Sequence, residues 1–298
     1  MLQKLIFKPG INHEQTRYAA DGGWFDCDKI RFRSGLPEKM GGWTVYSGAV
    51  PDGIPRALFN FVALDGSNYM AVGTTFRYYI EEGGALYNIT PIRRTASLGS
   101  NPITTGSAGS GVVSITDSGH GAVANDFVTL SGATTTDGVT AVQLNTTHQI
   151  VTITSANVYT VDTGGSASSG STAGGGSSVE AQYEINTGLD VGVSGPGWGS
   201  STWGRLTWGS SSSTDVDDSD QLRLWSQDSF GEDLIFCVRD GGVYYWDKSD
   251  GTGARAVALS SESGALDVPT IARQVMISNN DRHVLAFGCN DRGETTQD

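Results

Sequence analysis

The sequence predicts an all-β chain: a β-propeller-like body built of antiparallel blade sheets, interrupted by an inserted small β-barrel or sandwich domain. Three observations predict it. Short apolar runs alternate with Gly- and Asp-bearing turns, and no long segment carries the 3.6-residue period of a helix. Gly is abundant, 41 residues against 8 Pro, which suits a chain with many tight corners. One pattern of strands also recurs along the chain.

The recurring pattern starts at residue 56. Arg56–Leu64 is apolar-rich, Asp65-Gly66 turns, Asn68–Gly73 and Thr74–Ile80 are strands, and Glu81–Gly84 turns into Ala85–Ile89. Gln221–Leu259 repeats this grammar. An apolar strand ends at Leu224-Trp225, Asp233–Val238 follows, Asp240-Gly241-Gly242 turns, and Val243–Trp246 carries Tyr244-Tyr245 where Tyr78-Tyr79 stood. A third copy begins at Val268, with Val275–Ser278 matching Leu224–Gln227 and Val284–Gly288 matching Leu234–Val238. The last two copies are offset by about 50 residues, the length of a four-stranded blade. One small antiparallel sheet cannot bury both faces alone, and stacking similar sheets radially gives each face a neighbour. A β-sandwich of hairpins is the alternative. The third copy stops after Gly288 without its last strands, so the chain reads as an incomplete part of a longer protein.

Residues 1–55 form an N-terminal arm ahead of the first blade-like meander, residues 56–94. The arm holds Lys4, Lys8, Arg17, Lys29, Arg31, Arg33 and Lys39, and turns at Pro9-Gly10, Gly22-Gly23, Gly35-Leu36-Pro37 and Gly41-Gly42 cut it into short pieces. Alternation puts Ile30 and Phe32 on one face of its central strand and Lys29, Arg31 and Arg33 on the other. Two readings of that basic face are open. It is a solvated edge, where Lys and Arg discourage aggregation, or it is a subunit contact that docks on an acidic neighbour.

Residues 95–190 break the pattern as an inserted small β-domain. No Lys or Arg occurs between Arg94 and Arg205. Strands are expected at Val113-Ile115, Phe127-Val128-Leu130, Ile150–Ile153 and Val158–Val161, with a turn or short helix over Val139–Leu144. The Gly/Ser-rich stretch that follows reads as a linker or long loop. In residues 191–220, Trp198, Trp203 and Trp208 recur every five residues, each followed by Gly. That period fits neither helix nor strand. The three Trp either anchor a loop onto the fold or an assembly interface, where Trp is enriched, or stack on sugars or bases. Residues 221–298 hold the further blade-like repeats.

A net charge of −13 with a pI near 4.6 argues against tight DNA binding through phosphate neutralisation. It suits a passage through which DNA slides, because an acidic wall repels phosphates. Cys27, Cys237 and Cys289 are far apart and read as free thiols. No apolar run reaches the ~18 residues of a membrane span. The start, MLQKLIFKPG, has too short an apolar core for a signal peptide, so the chain is expected to be made and assembled in a cytoplasm. The spacings of His13, His120, His148 and His283 do not suggest a metal site. No nucleophile elbow, phosphate loop or zinc helix occurs. The run Asp215-Val216-Asp217-Asp218-Ser219-Asp220 lacks the Gly and Glu of an EF-hand loop and reads as a solvated acidic loop. No catalytic residue, metal or cofactor is expected.

The leading arm carries a family likeness. Gly10, the strand entry Gly23-Trp24-Phe25-Asp26, the basic strand through Arg31 and Arg33, and the close Gly35-Leu36-Pro37 to Gly41-Gly42-Trp43 resemble the N-terminus of tail nozzle proteins of short-tailed bacteriophages. These are also described as tail tubular protein B or packaged-DNA stabilisation proteins. Residues 56–92, with Val72–Thr75 and Leu86–Thr90, are similar to the first blade-type repeat of that family. The resemblance implies a structural virion protein of the tail, assembled in the bacterial host cytoplasm. It implies a homo-hexamer that continues the DNA channel below the portal and adaptor rings and helps retain and conduct the genome. The implied partners are adaptor (head-to-tail connector) proteins, tail fibres, and double-stranded DNA in transient, non-specific passage. Two other readings stand beside it: a carbohydrate-binding or depolymerising tail protein, motivated by the Trp-Gly repeats, and a cellular β-propeller scaffold.

Overall fold

The computed structural model describes residues 8–14, 16, 18–19, 22–42, 44–188, 224–278 and 280–291. It divides into two compact units, Met1–Gly48 and Ala49–Asp298. In the first unit, strands β1 (Ile30–Arg33) and β2 (Leu36–Lys39) form a hairpin. Ser34 and Gly35 both take positive φ, 51° and 82°, the geometry of a two-residue turn that matches strand twist. The turn is therefore Ser34-Gly35, and the expected Gly-Leu-Pro turn is displaced: Leu36 and Pro37 lie in β2. Trp24 bridges to Ile11 and sets its ring edge-on to Phe32, 6.1 Å away.

Among its described residues the second unit is built of antiparallel sheets, with one short α-helix and two 3-10 turns at Lys248–Asp250 and Leu259–Ser261. A first four-stranded meander runs β3 (Pro55–Val62), β4 (Asn68–Thr74), β5 (Tyr78–Glu82) and β6 (Ala85–Asn88) in spatial order. The expected strand from Thr74 into Tyr78 is a turn instead. Thr74 Oγ1 accepts the Phe76 and Arg77 N–H groups, which halts the extended run.

The insert follows as one eight-stranded sheet. Its strands are β7 (Ile92–Ser97), β8 (Ile103–Thr105), β9 (Val112–Thr116), β10 (Phe127–Ser131), β11 (Thr147–Ser155), β12 (Val158–Asp162), β13 (Ala173–Gly174) and β14 (Glu180–Glu184), with helix α1 at Ala141–Leu144. The spatial order is β13-β8-β9-β12-β11-β10-β14-β7. β11 serves both halves. Thr147–Gln149 pair with β10, Ile150–Ser155 pair with β12, and two register shifts lie along the second half. Bulges bend a sheet, and here side chains from both halves meet in one core of Ile103, Ile115, Leu130, Ile150, Tyr159 and Tyr183. The sheet folds over itself, and its end strands β13 and β7 do not pair, so it is an open sheet and not a closed barrel.

The Gly/Ser-rich stretch read as a linker is a bonded part of the insert. β13 lies within it, and one carboxylate gathers its neighbours. Asp137 Oδ1 accepts the Ser169 N–H and hydroxyl at 2.9 and 2.6 Å, and Oδ2 accepts Gly170 N–H and Thr105 Oγ1–H. Low-complexity composition marked this stretch as flexible, but backbone donors freed by small side chains found an acceptor from a distant loop.

A second four-stranded meander runs β15 (Trp225–Phe230), β16 (Asp233–Val238), β17 (Val243–Trp246) and β18 (Val257–Ala258). A hairpin of β19 (Gln274–Ile277) and β20 (Val284–Phe287) follows. Trp225 opens β15, where a strand end was expected.

The three sheets meet by unlike faces. Thr74 N–H bonds to Arg77 O, toward the strand after β4. Met70, Val72 and Thr74 therefore turn their backbone that way. Arg239 N–H bonds to Leu224 O, toward the strand before β16, so Leu234, Phe236 and Val238 are the residues facing the strand after. In an L-chain that backbone direction fixes the side to which a side chain points. That side is here termed the front of each meander. The first sheet buries its back, Phe61, Tyr69, Ala71, Tyr78 and Ile80, against the front of the second, Trp225, Leu234, Phe236, Val238 and Trp246. The second sheet buries its back, Ile235, Cys237 and Val243, against the hairpin's Val275 and Ile277, with Val284 and Ala286 packed alongside. In β20, Phe287 O accepts from Arg273, toward the preceding strand, so Val284 and Ala286 are front residues too. Both junctions are back-on-front. A simple sandwich of two sheets would leave the outer face of the second sheet open, and here it is closed.

Candidate interaction surfaces

The predicted basic face is only partly basic. Glu38 lies directly across from Arg31, and Arg31 Nε meets its Oε2 at 3.1 Å. Lys29 precedes β1 with φ 56°, which takes it out of the strand alternation, and its ammonium lies 3.9 Å from Asp28. Arg31 and Arg33 share a face; Lys29 does not follow from that register. Arg33 is exposed and has no ion pair among the described residues. Exposed pairs such as Arg31–Glu38 contribute little stability, about 0.2–1 kcal/mol. Trp198, Trp203, Trp208 and the acidic run Asp215–Asp220 lie outside the described residues, as do Arg17 and Trp43.

The structure adds a charged joint that sequence reading missed. Glu184, at the end of β14, has a side chain 1% exposed. Its Oε2 takes Arg77 Nε at 2.8 Å; its Oε1 takes Arg255 Nη1 at 3.0 Å and Asn88 Nδ2 at 3.1 Å. Arg77 belongs to the turn before β5, Asn88 to β6, and Arg255 to the loop after β17. One insert carboxylate therefore binds groups from both meanders. Arg77 also reaches Asp52 at 2.6 Å and stacks 3.7 Å above the Phe127 ring of β10. Its guanidinium is held protonated by Glu184, against the desolvation of its site. Tyr79 donates to Asp52, and burial pushes its hydroxyl up to about 12. No strand is expected from the sequence around Glu180–Glu184, and Arg77 and Arg255 lie far away in sequence, so nothing local pairs them with Glu184.

A second network seats the insert's first strand. Arg94 grips Asp117 with both Nη atoms at 2.9 and 3.1 Å, and Tyr183 donates to the same carboxylate at 2.7 Å. Among the described residues no group of three or more His, Cys, Asp or Glu is arranged to hold a metal, and no helix is long and apolar enough to cross a membrane. No disulfide joins the three cysteines, and burial pushes the Cys237 thiol up to about 12.

No family model matches the sequence, and no curated protein does. Among solved structures, a chain described as phage phi92 endosialidase is similar at 12% identity with a TM-score of 0.26. The similarity covers 82% of this chain and 35% of that one. At that TM-score the likeness carries no argument about what this chain does.

Proposed function

We propose that this chain is a structural subunit of the tail nozzle of a short-tailed phage. In this reading six copies surround an axial channel below the portal and adaptor, and the ring retains and then conducts the genome. The observation that carries it is the series of meanders stacked back-on-front directly after a Gly-framed arm, since the resemblance rests on the arm and the first meander. Stacking of small sheets gives each inward face a neighbouring sheet to pack against. The charge of −13 supports a lumen that does not hold DNA. The role is mechanical, with binding confined to neighbouring copies, adaptor proteins and tail fibres. Purified virions provide the test: peptide mass spectrometry should find the chain, and an electron cryomicroscopy map should place six copies around the tail axis. Absence of the chain from virions overturns the reading.

A further inference from the structure

Two distant segments converge on the turn between β4 and β5, Thr74–Arg77. The end of the arm, Asp52–Ile54, lies strapped to it. Thr74 Oγ1 donates to Asp52 O, and Asp52 N–H donates to the Tyr79 hydroxyl. Ile54 N–H donates to Thr75 Oγ1, and Thr75 N–H donates to Ile54 O. The strap fits closely. Gly53 has φ 87°, and a Cβ there would lie 2.7 Å from Thr75 Oγ1 and 3.0 Å from the Phe76 ring. The insert and its exit hold the same turn. Glu184 and the Phe127 ring take Arg77, Phe76 stands edge-on to Phe127 at 5.9 Å, and Thr187 Oγ1 donates to Thr75 O. Strap and insert are therefore joined twice, through the Arg77 guanidinium between Asp52 and Glu184 and through the backbone of Thr75.

We propose that the strap is a latch through which the arm sets how firmly the insert is seated. With the strap in place, Asp52 and Glu184 hold the guanidinium over the Phe127 ring, and Ile54 fixes the residue whose carbonyl Thr187 binds. A partner protein that draws the arm away withdraws Asp52 and Ile54 together. Arg77 then keeps one carboxylate in place of two, the turn is freed, and the end of β14 loosens. The strap is the two-state element that such coupling requires. Linkage makes the effect reciprocal: loosening the insert also unseats the strap. The latch goes beyond the nozzle reading and does not depend on it.

The test is amide exchange on the purified 298-residue chain, with rates referred to the β16 amides, which report global opening. Gly53→Ala should unseat the strap by its clash at Thr75 while leaving every charged group in place. Exchange should rise about fivefold or more at Ile54 and Thr75, and rise in β14 as well. Gly66→Ala is the control. Its φ of 86° strains the backbone alike, but a Cβ there meets nothing within 4 Å, and β14 should not respond. Glu184→Gln runs the coupling in reverse and should raise exchange at Ile54 and Thr75. Changes confined to the strap in Gly53→Ala, and to the insert in Glu184→Gln, overturn the proposal. An equal rise of β14 exchange in Gly53→Ala and Gly66→Ala also overturns it, since that reports general strain in the first meander. If Gly53→Ala leaves Ile54 protected, Glu184→Gln decides alone, and an unchanged Ile54 there overturns the latch.

Discussion

The rings of Tyr78 and Phe236 lie nearly parallel, 7° apart in plane with centroids separated by 4.1 Å. They join the back of the first meander to the front of the second. Trp225 packs beside them, 4.6 Å from Tyr78, and its indole N–H donates to Thr74 O at 2.7 Å. Tyr78 also donates to Gln227 at 2.6 Å, which gives its buried hydroxyl a partner.

Phe236→Ala should cost about 3–5 kcal/mol, because the cavity opens beneath two aromatic rings at once. Tyr78→Phe keeps the stack and loses only the Gln227 bond, so it should cost about 1 kcal/mol. Denaturant melts followed by circular dichroism measure both, and equal losses would mean that the stack is not the main brace.

Gly73→Ala should destabilise by about 1–3 kcal/mol. A Cβ there would sit 2.4 Å from Trp225 Cδ1, and the indole is tied by its hydrogen bond to Thr74 and has little room to retreat. The double variant Gly73→Ala, Trp225→Leu should recover part of the loss; no recovery would place the strain elsewhere.

Glu184→Gln should cost about 1–3 kcal/mol, since it leaves the largely buried Arg77 with only the half-exposed Asp52 as its counter-charge. Asp52→Asn should cost much less, because the Asp52 side chain is 53% exposed and solvent screens it. Amide exchange provides a second readout: Glu184→Gln should raise exchange in β7 and β14, the two strands that enter and leave the insert.

The Asp137 loop should loosen in acid. Hydrogen bonds from Ser169, with others from Gly170 and Thr105, hold the carboxyl at about 2, against about 3.9 in an unfolded chain. The folded value is the lower one, so the ionised group stabilises fully above about pH 4. That contribution is lost as pH falls through about 2. Protection of the Ser169 and Gly170 amides should drop across this window, and Asp137→Asn should remove the step.

Arg33→Glu should leave the β1–β2 hairpin folded and weaken assembly if that face meets an acidic neighbour. Arg31→Glu is the poorer probe, because it sets two carboxylates opposite each other at Glu38. Unchanged assembly of Arg33→Glu on native partners would return the face to ordinary solvated residues.

The strands of the meanders were legible because alternation and turn residues are local. Asp233–Val238 and Val243–Trp246 fall where the sequence placed them, between Gly-bearing corners. The insert's β7, β8, β13 and β14 were missed. They are short or polar, and they are strands only because a partner supplies hydrogen bonds, as Thr104 does for Ala173. The joint at Glu184 was invisible for the same reason: a carboxylate at a strand end reads as solvated until two guanidiniums from other sheets cover it.

By itself the sequence determined an all-β chain, the existence of repeated meanders, and a separate basic-poor segment between them. Periodicity, glycine and charge are properties of neighbours along the chain, so they survive without any fold. Only the tertiary structure decided that the sheets join back to front, that the Gly/Ser stretch is anchored by Asp137, and that Glu184 ties the insert to both meanders. Each of those depends on which way a backbone N–H points, or on groups brought together from distant segments. Burial then sets how strongly such groups interact, because desolvated charges and aromatic faces find their partners only inside the packed protein.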